Sequence, residues 1–217
     1  MDDMPVRRPI KTRGAEWAIR LSERLIEARV SPNTISLTSI ACAGVAGLGL
    51  ALSPGVSGGW RALLYLVAIA GIQSRLICNL LDGMVAVGGG IQSKGGEVFN
   101  DLPDRFSDAL ILVGSGYAIR HLRWGVELGW LAAWLAVMTA YVRVLGGSLG
   151  LKQNFIGPMA KPHRMAVMTG ALALAICTAQ SGFDGRMIEL ALAVIVAGCA
   201  ITLWRRTARI MAELKMK

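Results

Sequence analysis

Five of the chain's 14 acidic residues, Asp82, Glu97, Asp101, Asp104 and Asp108, fall within 27 consecutive positions, close to Asn79 and Asn100. Charge placed inside an otherwise apolar chain is expensive and marks a site or an ion path. On a helix, Asn79 and Asp82 stand at i, i+3, while Asn100, Asp104 and Asp108 stand at i, i+4, i+8, so each set shares a face. Two antiparallel helices carrying these faces would aim oxygen donors at one another. Oxygen-only donors suit Mg²⁺ or Mn²⁺, one or two ions, with phosphate as the usual co-ligand. The intervening Gly83, Gly88, Gly89, Gly90, Gly95 and Gly96 would let a ligand approach the backbone closely. Helix capping is the plainer account of such aspartates. It suits Asp101, just ahead of Leu102-Pro103, but not Asp82, which the apolar pattern puts at a helix C-terminus where the dipole disfavours an anion. A second group, Arg143, Lys152, Lys161 and Arg164, has the chemistry to hold a phosphate. His163 between two of them reads as interfacial.

The elements that must carry these residues are membrane spans. The chain has 217 residues, 54% hydrophobic and 17% charged, with mean hydropathy +0.52, whereas soluble domains average about 25% charged. Six apolar runs approach the about 20 residues needed to cross hydrocarbon: 33–53, 60–81, 104–120, 124–142, 164–180 and 186–204. Ser31-Pro32 announces the first as an N-cap followed by proline, and 53–55, 57–59 and 181–185 read as tight turns. The net charge of +9 lies between runs. Seven Lys/Arg fall in residues 1–30, four between the fourth and fifth runs, and five at the C-terminal end, against Arg61, Arg120, Arg123 and Arg186 opposite. That asymmetry predicts both termini and the acidic cluster on the cytoplasmic side of the cell (inner) membrane, and no nucleic-acid partner. Residues 1–30 form no signal peptide, since no apolar core follows the arginines. Trp17, Leu21, Leu25 and Ala28 predict an amphipathic interfacial helix there. Cys42, Cys78, Cys177 and Cys199 stand singly in apolar runs and make no redox or zinc motif. The expected fold is therefore all-α: an interfacial segment over 1–30, a six-helix membrane bundle over 31–205 and a basic tail over 206–217.

The cluster resembles a family. CDP-alcohol phosphatidyltransferases carry D-x-x-D-G-x-x-A-R, eight residues, then G-x-x-x-D-x-x-x-D across their second and third spans. Here Asn79-Leu80-Leu81-Asp82-Gly83-Met84-Val85-Ala86-Val87 is followed eight residues later by Gly96-Glu97-Val98-Phe99-Asn100-Asp101-Leu102-Pro103-Asp104. The spacing matches throughout, and the likeness extends to the six spans, Ser31-Pro32-Asn33 and Tyr141-Val142-Arg143. It departs at Asn79 and Asn100, where the family has aspartates, and at Val87, where it has arginine.

The resemblance implies transfer of a phosphatidyl group from CDP-diacylglycerol to an alcohol, a phosphorylated polyol being plausible chemistry, with release of CMP. It implies Asp82 as a metal ligand and Asp104 as ligand and catalytic base. Asn79 and Asn100 would offer uncharged oxygens to the ion, and Asp108 would add a carboxylate one turn on. Asn33, Gly83, Ala86 and Gly96 would line the donor site, and Arg143, Lys152, Lys161 and Arg164 the acceptor site. A homodimer is implied as well. The missing aspartates leave open an altered or inactive relative acting as a lipid-binding membrane subunit. A transporter is disfavoured, because spans one, four, five and six carry almost no polar residues.

Overall fold

A computed structural model describes residues 14–90, 96–153, 155–179 and 182–216, with the side chains of 96, 97 and 100 left out. Among the described residues the chain is all-helical, with seven α-helices. They are α1 (Glu16–Glu27), α2 (Pro32–Leu52), α3 (Gly58–Gly88), α4 (Gly96–Ala118), α5 (Gly125–Ser148), α6 (Lys161–Thr178) and α7 (Asp184–Lys215). Ser31 caps α2 as expected, its hydroxyl accepting from the Thr34 amide at 3.1 Å, with Pro32 in the first turn. Four helices, α2, α3, α5 and α7, are long and apolar enough to cross a membrane. The expected third and fifth runs lie on α4 and α6, whose charged first turns keep them outside that set.

Three boundaries differ from expectation. α3 runs on to Gly88, so Asp82 lies nearly two turns inside the helix rather than at its end. α4 begins at Gly96, so Asp101 is an interior helical residue and not an N-cap, and Pro103 is accommodated within the helix. α7 continues to Lys215, so the residues expected as a tail are its last turns. Apolar runs stop at the first charges, whereas helices continue through charges that find partners.

α2 packs on α3 and α4, α4 on α5, α5 on α7, and α6 on both α7 and α3. The core between them is aliphatic and methionine-rich, including Ile72, Ile111, Met165, Met168, Leu172 and Ile195. The outer faces are apolar too: Leu48, Trp60, Trp134, Leu190 and Trp204 are exposed. Helices that are hydrophobic on every side belong in lipid. α1 lies against the end of α3, burying Ala18 and Ser22 with Leu25 and Ile26 packed towards Leu81 and Val85. Trp17 and Leu21, the expected interfacial stripe, stay exposed.

Candidate active site

The second half of α3 presents Arg75, Asn79 and Asp82 at i, i+4, i+7, one face by helical geometry. α4 brings Asp101, Asp104 and Asp108 opposite, and α6 contributes Lys161 and Arg164 from its first turn. Asp104 sits at the junction. Its Oδ1 accepts from the Asn79 amide nitrogen at 2.9 Å and from Arg75 at 3.3 Å. Its Oδ2 pairs with the Lys161 ammonium, with Arg105 at 3.9 Å. The Lys161 ammonium also donates to Asn79 Oδ1. Asp82 is buried and accepts from the Ser36 hydroxyl of α2 at 2.9 Å through Oδ2, while its Oδ1 is buried with no partner. It lies within electrostatic reach of both Asp104 and Lys161.

Asp108 is differently placed. Arg75 reaches its Oδ1 at 2.6 Å and Arg164 its Oδ2 at 2.6 Å, and all three side chains are buried. Both oxygens of this expected ligand are therefore held by arginine, and Arg164, expected at the acceptor, is part of the same buried pairing. Asp101, half-exposed, pairs with Arg143 at 2.7 Å and Arg105 at 3.4 Å. Three carboxylates, Asp101, Asp104 and Asp108, thus pair with five cations, Arg75, Arg105, Arg143, Lys161 and Arg164, among the described side chains, and Asp82 pairs with none.

The remaining expected residues lie around this centre. Arg143 also stacks over the Phe155 ring at 5.6 Å. Lys152 lines an open cleft of about 310 Å³ with Gln153, Arg209 and Glu213, adjoining a groove that includes Arg143 and Arg206. The loop beneath is tied to α7, Arg206 donating to the Ile156 carbonyl at 3.0 Å and Thr202 accepting from the Met159 amide at 3.0 Å. Asn33 opens α2, and Gly83 and Ala86 follow Asp82 on α3, all half-buried. The side chain of Asn100, a further expected ligand, is outside those described, as are Asn154 and the glycine at 95; Gly96 is described only as the first residue of α4. Arg75, Arg105 and Ser36 were not foreseen. Arg75 stands one turn before Asn79, a spacing that would have put it on the site's face.

The donor set can be tested against a divalent ion. The buried, unpartnered Oδ1 of Asp82 is a hard, anionic oxygen of the kind such an ion takes. Asp104 and Asn79 are already bonded to Lys161. No three His, Cys, Asp or Glu side chains gather into a metal site among the described residues. The residues present fit one ion at Asp82 rather than two between four carboxylates.

No protein-family model and no curated protein sequence matches the chain. Solved structures of Mycobacterium tuberculosis phosphatidylinositol phosphate synthase (PgsA1) do. The form with CDP-DAG bound superposes with TM-score 0.71 at 18% identity, over 90% of this chain and 94% of that one. This chain has the fold of that synthase. The form with manganese and citrate gives TM-score 0.70 at 18% identity, over 89% and 88% of the two chains. The apo form gives 0.60 at 18% identity, over 85% and 95%. The likeness runs nearly the full length of both proteins, and the fold is the one that the motif resemblance implies.

Proposed function

We propose that the chain is a metal-dependent phosphatidyltransferase that moves a phosphatidyl group from CDP-diacylglycerol to an alcohol and releases CMP. The observation that carries this reading is the meeting of Asp82 and Asp104 from facing helices, in a fold shared with a synthase solved with CDP-DAG and with manganese. The alcohol oxygen attacks the lipid-side phosphorus, the phosphoanhydride bond to CMP breaks, and Asp104 accepts the alcohol's proton. The cations around Asp104 hold its carboxylate in place between α3 and α6. Asp82 Oδ1 would hold Mg²⁺ or Mn²⁺, and the ion would supply charge neutralisation for the pyrophosphate. Arg75 and Arg105 contribute fixed positive charge to the same centre. Gly83, Ala86, Gly96 and Asn33 form the cytidine side, where small residues leave room for the nucleotide.

A phosphorylated polyol is the acceptor class best suited to the cleft beside Lys152 and Arg143, because guanidinium and ammonium groups recognise phosphate dianions. The bundle is read as six-spanning, α4 packing against all four apolar helices and α6 against α3 and α7, with α1 in the interface. The termini and the site face the cytoplasm of the inner membrane. The homodimer belongs to the same reading.

CMP release from CDP-diacylglycerol, measured in detergent with Mg²⁺ or Mn²⁺ across polyols and polyol phosphates, tests this. Asp82→Ala and Asp104→Ala should each lower the rate by about 10² or more, the usual weight of a positioned general base or ligand, in a chain that still folds. Absence of CMP release with every acceptor, or near-normal turnover of Asp104→Ala, would overturn it.

A further inference from the structure

Lys161 is oddly placed for an ordinary positive-inside lysine. It is the first residue of α6, where the helix dipole disfavours a cation. Its side chain is largely withdrawn from solvent, at 20% exposure, and its ammonium lies between Asn79 Oδ1 and Asp104 Oδ2. Those two oxygens come from facing helices, α3 and α4, and are ones the motif spacing assigns to a metal ion. An ammonium is a compact point charge with three donors and no acceptor, so between two oxygens it plays the electrostatic part of a bound cation. The residue at 79 is neutral, which removes one negative charge where the lysine adds one positive. Among the described residues, the only buried carboxylate oxygen left without a partner is Asp82 Oδ1.

We propose that Lys161 is a tethered cation occupying one of the two metal positions of this site, leaving a single exchangeable divalent ion on Asp82. The proposal rests on the phosphatidyltransferase reading for its use in catalysis, but not for its ion count. On this arrangement Lys161 is a positioning residue. It fixes Asp104 and Asn79 across the α3–α4 gap without any bound ion, and it supplies part of the positive charge that faces the donor's pyrophosphate. A second divalent ion is excluded by like-charge repulsion at the same oxygens.

Mn²⁺ titration of the purified full-length protein in detergent, read by the loss of the free-ion EPR signal without substrate, counts the ions. The wild-type chain should take one Mn²⁺, lost in Asp82→Ala. Asn79→Asp alone should still take one, since the new carboxylate pairs with Lys161. Lys161→Met, which keeps the aliphatic stem, combined with Asn79→Asp should take two. Two ions on the wild-type chain overturn the proposal without recourse to any variant, as does a double variant that folds with the wild-type thermal midpoint yet still takes one. CMP release is scored separately: one Mn²⁺ on a chain that releases no CMP defeats the phosphatidyltransferase reading and leaves the tethered cation standing.

Discussion

Asp108 shows how a charged residue in an apolar bundle can serve structure while standing among functional ones. Both of its oxygens face arginines at 2.6 Å, and even so Nε and NH1 of Arg75 and Nε of Arg164 lack partners. The trio is finely balanced: removing one partner of a buried pair leaves uncompensated charge and costs about 3–5 kcal/mol. Asp108→Ala should therefore lower the thermal midpoint in detergent sharply, with inactivation tracking unfolding, whereas Asp82→Ala and Asp104→Ala should lose activity while folded. Asp101→Ala removes an ion pair that is partly exposed, at 40% for the aspartate, so its cost should be about 0–1 kcal/mol. An Asp101→Ala chain as unstable as Asp108→Ala would mean that Arg143 depends on that pair far more than its exposure implies. Helical spacing was enough to put Asn79 with Asp82 and Asp104 with Asp108. It could not separate Asp104 from Asp108, because the difference lies in partners from α3 and α6, 33 and 56 positions away.

At the scale of the elements, the site depends on how closely α4 approaches α2. The crossing is glycine on glycine: a Cβ added to Gly47 would strike the Leu110 carbonyl, and one added to Gly114 would strike the backbone of Gly47. Backbone cannot move aside as a side-chain tip can, so either substitution must push the helices apart. Gly44, one turn earlier on α2, has nothing within 4 Å of such a Cβ, and alanine there gains helix propensity of about 0.5–1 kcal/mol. The expected signs are therefore opposite. Gly47→Ala and Gly114→Ala should lower the thermal midpoint and weaken activity by pushing α4, and Asp104 with it, away from α2; Gly44→Ala should hold or raise the midpoint. Equal midpoints for the three variants would mean that the crossing is looser than this. The small residues of α2 were visible in the sequence, but which of them face a neighbour was not: hydrophobic periodicity is weak in a helix that is apolar all round. The true ends of α3 and α4 were hidden for a different reason, because the apolar runs stop at charges through which these helices continue.

Across the whole molecule the two ends differ in charge and in what holds them. At one end α3, α4, α5 and α6 converge through Asp101, Asp104, Lys161 and Arg143, and Arg209 of α7 joins Lys152 at the cleft. At the other, Asp184 at the start of α7 is buried against the Tyr65 hydroxyl at 2.7 Å and Arg61 at 3.3 Å, and Arg120 donates to the Ala51 carbonyl at 2.9 Å. Ser57 lies at the second end and Gln153 at the first. The lysines and arginines of the first end far outnumber those of the second, and such bias sets orientation. The sequence carried this at once, since counting charges between apolar runs needs no tertiary contact, whereas the Tyr65–Asp184 bond joins positions 119 apart. Single cysteines at 57 and 153, in a chain with Cys42, Cys78, Cys177 and Cys199 replaced by alanine, give the readout in intact cells. Ser57→Cys should react with a membrane-impermeant maleimide from outside; Gln153→Cys should react only after permeabilisation. A soluble nucleotide leaving group and a phosphorylated acceptor both belong to the cytoplasmic compartment, so the labelling also bears on chemistry. Labelling of Gln153→Cys from outside would place the Lys152 cleft away from that compartment and remove the acceptor class assigned to it.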